Sequence, residues 1–149
     1  MIEGETFEDL RRRAAAGSAF DQEQLGAFLA TGADGICERN EVEARSWYLQ
    51  AVKQGYLDAK YNLAIMLIEG AGGPKNIAKA MFLLEQAAAE HHYNSCRFLS
   101  AIIETGEYGK DVDAELSRYW WREYERIMVL DASEMPDFGV PLPDFELTA

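Results

Sequence analysis

Apolar positions recur along this chain in blocks of nearly constant length. Leu25, Leu63 and Leu99 stand at intervals of 38 and 36 residues. Each is followed by a small residue (Gly26, Ala64, Ser100) and then by an apolar pair: Phe28-Leu29, Met66-Leu67 and Ile102-Ile103. Gly32, Gly70 and Gly106 close the blocks in the same register. A leucine with an apolar pair three and four positions later lies on one helix face, and the small residue between them lets a second backbone come close. A second series follows each glycine: Tyr48, Leu84 and Trp120, and beside them Trp47, Leu83 and Tyr119, all at 36-residue intervals. Ala51 and Ala87 keep step, and the third copy has Glu123 there. Leu10 and Ala14 fall 38 residues before Tyr48 and Val52, so the first helix reads as the second half of a truncated repeat.

Punctuation supports the same division. Thr6, Asn40, Asn76 and Asn94 are expected as N-caps, and Thr6 with Asp9 and Asn40 with Glu43 as capping boxes. Gly17, Gly32, Gly55, Gly70 and Gly106 are expected stops, and Pro74 lies in the loop before a helix start. The pattern predicts helices over about 7–16, 19–31, 41–54, 57–69, 77–90, 95–105 and 112–129. A helix pair cannot bury its apolar face alone and must stack on its neighbours. The expected fold is therefore all-α: a right-handed α-solenoid of about three helix-turn-helix repeats, with a concave and a convex side. Residues 1–130 are expected to form the helical repeat domain and residues 131–149 an acidic, extended C-terminal tail.

The residues Ala59-Lys-Tyr-Asn62-Leu63-Ala64, Gly70-Ala-Gly72, Lys75-Asn76, Ala80 and Ala87-Ala88 closely resemble the Sel-one-like repeat, a relative of the tetratricopeptide repeat. Ala44, Trp47-Tyr48 and Ala51 look like the second half of the same pattern, and the resemblance runs over roughly residues 10–124, about three repeats. The first repeat departs in its loop, where Asp34-Gly-Ile-Cys-Glu-Arg replaces the usual Gly-x-Gly turn. The third departs in its second helix, which carries Arg118, Trp121 and Glu123 in place of alanines. The resemblance implies an adaptor that binds protein partners on its concave surface.

Charge narrows the partner. The net charge is −12, and it is concentrated at the ends: residues 1–9 hold four acids and residues 127–149 five, with no base in either stretch. Such a chain repels phosphate backbones and acidic membrane surfaces, so neither nucleic acid nor membrane is an expected partner, and a basic protein is. The start, Met-Ile-Glu-Gly-Glu-Thr, lacks the basic and apolar runs of a signal peptide, and no apolar run is long enough to span a membrane. With two cysteines, Cys37 and Cys96, the expectation is a cytoplasmic protein with free thiols.

Catalytic patterns are absent from the sequence. No serine is followed by lysine at Ser-x-x-Lys spacing, and no Gly-x-Ser-x-Gly occurs. Gly106-Glu-Tyr-Gly109-Lys110 lacks the spacing of a phosphate loop, and Asp111 stands where that loop needs a hydroxyl. His91, His92 and Cys96 fall short of the four ligands of a closed zinc site and read as a turn with two surface histidines. The carboxylates read as solvated, as in Glu41 with Arg45 and Glu115 with Tyr119, with none paired on an apolar face so as to raise a pKa. No enzyme activity, metal or cofactor is expected.

The expected partner-binding positions are therefore surface positions. In helix-pair solenoids the first helix of each pair lines the concave wall, which here offers Gln24, Tyr61, Asn62, Ile65, Glu69, Arg97 and Phe98. Ile65 and Phe98 are apolar on that outer stripe, read either as an interface or as shallow burial. Trp121 lies outside the repeat pattern, either closing the last repeat or serving as an aromatic anchor for a partner or a second copy. Pro136-Asp137-Phe138 and Pro143-Asp144-Phe145 give the tail two hydrophobic anchors, Phe138 and Phe145, for capping the last helix or for docking into another protein or another copy. Two roles fit: an adaptor or scaffold, or a dedicated inhibitor such as an immunity protein, whose negative charge would speed encounter with a basic toxic enzyme.

Overall fold

The computed structural model describes residues 4–129. Among these the chain forms seven α-helices: α1 Phe7–Ala15, α2 Ala19–Thr31, α3 Glu41–Lys53, α4 Leu57–Glu69, α5 Ile77–Ala89, α6 Tyr93–Thr105 and α7 Ala114–Val129. A 3-10 turn, Glu107–Gly109, precedes α7. The chain divides into two compact units between Leu83 and Leu84, within α5. In the first, α1 packs on α2, α2 on α3 and α3 on α4; in the second, α6 packs on α7.

The periodic residues form the cores. Leu25, Leu63 and Leu99 are buried, as are Tyr48, Leu84 and Trp120. Burying each such side chain contributes about 1.5–3 kcal/mol. The small residue after each leucine permits close helix approach, and its partner differs between repeats. Beside Gly26 the ring of Tyr48 leaves no room: an added Cβ would stand 2.7 Å from Tyr48 Cε1. Beside Ser100 the neighbour is Ser117, whose hydroxyl donates to the Ser100 carbonyl at 3.0 Å.

Each helix pair closes by the same two main-chain bonds. The N–H groups of Gly32, Gly70 and Gly106 donate to the carbonyls of Phe28, Met66 and Ile102. The N–H groups of Asn40, Asn76 and Asp113 donate to Leu29, Leu67 and Ile103 at 2.7, 3.0 and 3.3 Å. The residue that starts the second helix is thus tied to the last turn of the first.

Several cap assignments need correction. Thr6 forms its capping box with Asp9. Asn40 makes half of one: its side chain accepts the Glu43 N–H at 3.1 Å, but its own N–H is already given to Leu29. The Glu43 carboxylate turns instead to Arg11 at 2.5 Å and to Trp47 Nε1 at 3.3 Å, and Arg11 holds its pKa below the usual range. Asn94 is no cap. His92 takes that place, its ring accepting the Ser95 N–H at 3.3 Å, and α6 starts two residues earlier than expected. His92 is consequently buried and His91 alone is a surface histidine, not both. Arg45 does not lie along a solvated face with Glu41. Its guanidinium donates to the carbonyls of Pro74 at 2.7 Å and Ala71 at 3.5 Å, pinning the α4–α5 loop on α3.

Candidate partner-binding face

The first turn of α2 is polar yet buried. Asp21, Gln22 and Glu23 are each 7% exposed or less. Asp21 accepts Arg13 Nε at 3.0 Å. Gln22 Nε2 donates to the Ala14 carbonyl at 3.1 Å, and Gln54 Nε2 donates to Gln22 Oε1 at 3.0 Å and to the Gly17 carbonyl at 2.9 Å. These bonds satisfy the seam where α1, α2 and α3 meet, as buried polar groups require.

Glu23 differs from its two neighbours. Its carboxylate accepts Gln24 Nε2 at 2.8 Å and Asn62 Nδ2 at 2.9 Å, and no cation pairs with it among the described residues. Burial pushes its pKa up, and the charge of Asp58 adds to the rise. The expectation of solvated carboxylates, none of them paired on an apolar face so as to raise a pKa, therefore does not hold at Glu23. Amide donors stabilise the anion less than a cation would, and they leave the local charge negative. Tyr48 lies buried close by, its phenol pushed upward by burial and then by Glu23.

Along the same two helices, Phe20 is 56% exposed and meets Tyr56 edge-to-face with ring centroids 6.5 Å apart. The Tyr56 phenol is raised by partial burial, Asp58 and Glu23. Tyr61 and Ile65 on α4 are half-buried and Glu69 is exposed. The structure thus joins Gln24 and Asn62 on one carboxylate. In the second unit Arg97 is exposed and Phe98 half-buried on α6. Trp121 is exposed on α7, where Nε1 donates to Glu125 at 2.9 Å and the ring lies 5.2 Å from that of Tyr124. Phe138, Phe145 and the tail lie outside the described residues. Sequence reading passed over Glu23, Phe20 and Tyr56. The repeat register held the signal for Glu23, which occupies the position of Tyr61 and Arg97.

The cysteines are packing residues in this arrangement. Cys96 is fully buried, its thiol pushed up to about 12 by burial and by Glu123, and Sγ lies 3.7 Å from the Ala88 carbonyl. Cys37 Sγ faces the Phe28 carbonyl at 3.5 Å. Among the described residues no three His, Cys, Asp or Glu side chains gather as metal ligands, and no helix is long and apolar enough to cross a membrane.

The model of the Sel1 repeat family matches residues 20–56, 57–92 and 94–123. A crystal structure of a Sel1 repeat protein from Oxalobacter formigenes superposes with a TM-score of 0.74 at 23% identity, over 83% of this chain and 92% of that one. The protective antigen c5321 of uropathogenic Escherichia coli, described as displaying an SLR fold, gives a TM-score of 0.74 at 26% identity over 82% of this chain. This chain spans about a quarter of that protein, 26% of its length. The fold class is the all-α solenoid of Sel1 repeats expected from the sequence.

Proposed function

The chain belongs to the Sel1 repeat family, commonly protein-interaction modules, and from that premise we propose that it binds a protein partner through the first helices of its repeats and catalyses no reaction. The observation that carries this reading is the α2–α4 face. It combines an aromatic pair, exposed Phe20 and half-buried Tyr56, with a buried carboxylate, Glu23, that has amide partners and no cation among the described residues. Aromatic rings beside an uncompensated negative charge suit a lysine or arginine presented by a basic partner. Gln24, Tyr61, Asn62, Ile65 and Glu69 are proposed to contribute on this unit, and Arg97, Phe98 and Trp121 on the other. The net charge of −12 also supports a finer second reading, a dedicated inhibitor steered to a basic target.

Native affinity capture with the full chain tests both. The first reading expects a partner that is retained by the native chain and lost by Phe20→Asp, a surface change, with helix content unchanged. An inhibitor would give one tight, salt-sensitive partner whose toxicity appears when this protein is removed. Equal capture by the native chain and by Phe20→Asp would move binding away from this face.

A further inference from the structure

The two faces of α7 carry opposite instructions. Ser117 and Trp120 are buried on one face. On the other, Arg118, Trp121, Arg122, Glu125, Met128 and Val129 are exposed, at the three- and four-residue spacing that makes a continuous stripe. Trp121, Met128 and Val129 are 45%, 53% and 75% exposed. Arg126, on the flank, is paired with Glu123 at 2.6 Å. Arg118 and Arg122 have no ion-pair partner among the described residues. In the first unit α3, the corresponding second helix, is covered by α4; no described helix follows α7.

We propose that segment 130–149 of the same chain folds back onto this stripe, with Phe138 and Phe145 against Trp121 and Met128. Three observations select that occupant over a second copy or an unrelated partner. The segment holds five acids and no base, the complement of two unpaired arginines. It repeats Pro-Asp-Phe at a seven-residue interval, placing an aromatic anchor next to an acid twice. It is covalently continuous with the helix, so its local concentration is of the order of millimolar before any contact forms. Reach is sufficient: Arg118 to Met128 spans about 15 Å of helix, and the chain from Val129 to Phe138 extends to about 30 Å. The contact supplies the terminal cap that a helical array needs where its stacking ends. It leaves the α2–α4 face open to a partner and takes Trp121 as a closing residue of the last helix in place of a partner contact.

The test uses the full chain with the photoreactive residue p-benzoylphenylalanine at position 138 or 145, otherwise unaltered. Irradiation is expected to give crosslinks within one chain to residues 118–129. Their yield should fall several-fold in high salt and in Arg118→Glu/Arg122→Glu, with circular dichroism showing that the helices persist. A companion measurement is acrylamide quenching of tryptophan fluorescence, expected to rise in Phe138→Ser/Phe145→Ser as Trp121 is uncovered. Crosslinks between chains, crosslinks to other helices, or no crosslink from the folded labelled chain would each overturn the proposal.

Discussion

Asn62 on α4 donates its side-chain amide to the Glu23 carboxylate on α2 at 2.9 Å, joining the first helices of two successive repeats through a neutral donor and a buried anion. The bond satisfies the carboxylate and does not neutralise it. Its consequences are measurable as a dependence of stability on pH.

Burial and the nearby Asp58 hold the folded pKa of Glu23 above its ordinary 4.5. A carboxylate raised in this way binds its proton more tightly when folded. The stability it contributes is full below the unfolded pKa and is lost as pH rises through the folded one. Glu23→Gln removes this loss. Glu43, lowered by Arg11, slopes the other way but is common to both proteins. Urea midpoints taken from about pH 4 to about pH 7 should therefore shift in favour of the variant. A gap that stays constant over that range would contradict the assignment.

Gly26→Ala should destabilise the chain although alanine is the better helix former. The new methyl would stand 2.7 Å from the Tyr48 ring, which is buried and cannot swing away. Overpacking costs about 1–3 kcal/mol and the helix gain is about 1, so a net loss of up to about 2 kcal/mol is expected in urea unfolding. The second repeat carries Ala64 at the equivalent position and Leu84 in the register of Tyr48.

Gly72→Ala should cost more. At φ +70°, an added Cβ would meet the Glu41 carbonyl oxygen at 2.3 Å, and backbone cannot yield as a side chain does. A loss of about 2–4 kcal/mol is expected, read from the thermal midpoint against the native chain. Unchanged melting would mean that the α4–α5 loop does not rest on α3.

His91 stands at φ 66°, in the turn position filled by Gly17 and Gly55 in the two preceding turns. Relief of that strain outweighs the 3.6 Å contact of its exposed ring with Glu123, since such pairs contribute about 0–1 kcal/mol. His91→Gly should be up to about 1 kcal/mol more stable, whereas His91→Val should be less stable than the native chain by about 1–2 kcal/mol. Chemical denaturation of the three proteins gives the order directly.

In the folded protein a thiol reagent at mild alkaline pH should label Cys37 well before Cys96. Cys96 is fully buried and its thiol is held near 12, whereas Cys37 is half-buried beside the Ala33 turn. Reactivity follows thiolate fraction and access. Equal labelling rates, followed by mass spectrometry, would show that the second unit opens readily.

Helix existence and register were legible because they depend on period. Leu25, Leu63 and Leu99 needed no tertiary information to mark one buried face, and the caps Thr6, Asn40 and Asn76 and the glycine stops Gly17, Gly32, Gly55, Gly70 and Gly106 were readable from local chemistry. Asn94 misled because a good capping residue is favourable only if the chain is still non-helical there. The turn closes earlier, through the His92 N–H to the Ala87 carbonyl at 3.0 Å, and so His92 became the cap. Arg45 misled for a different reason. An acid four residues before a base is ordinary helix support, but loop carbonyls 26 and 29 residues downstream come within reach and accept its donors instead.

The sequence by itself determined the all-α repeat, the positions of its buried leucines and the concentration of negative charge at its ends, because each of these rests on spacing along the chain or on composition. Only the tertiary structure decided that Glu23 is buried, that Gln24 and Asn62 converge on it, and that Arg11, Arg45 and His92 serve partners their local sequence does not announce. Those outcomes depend on which side chains from distant segments meet. A carboxylate on a helix looks the same in sequence whether water or a neighbouring amide receives it, and the desolvation that raises its pKa exists only once α2 and α4 are side by side.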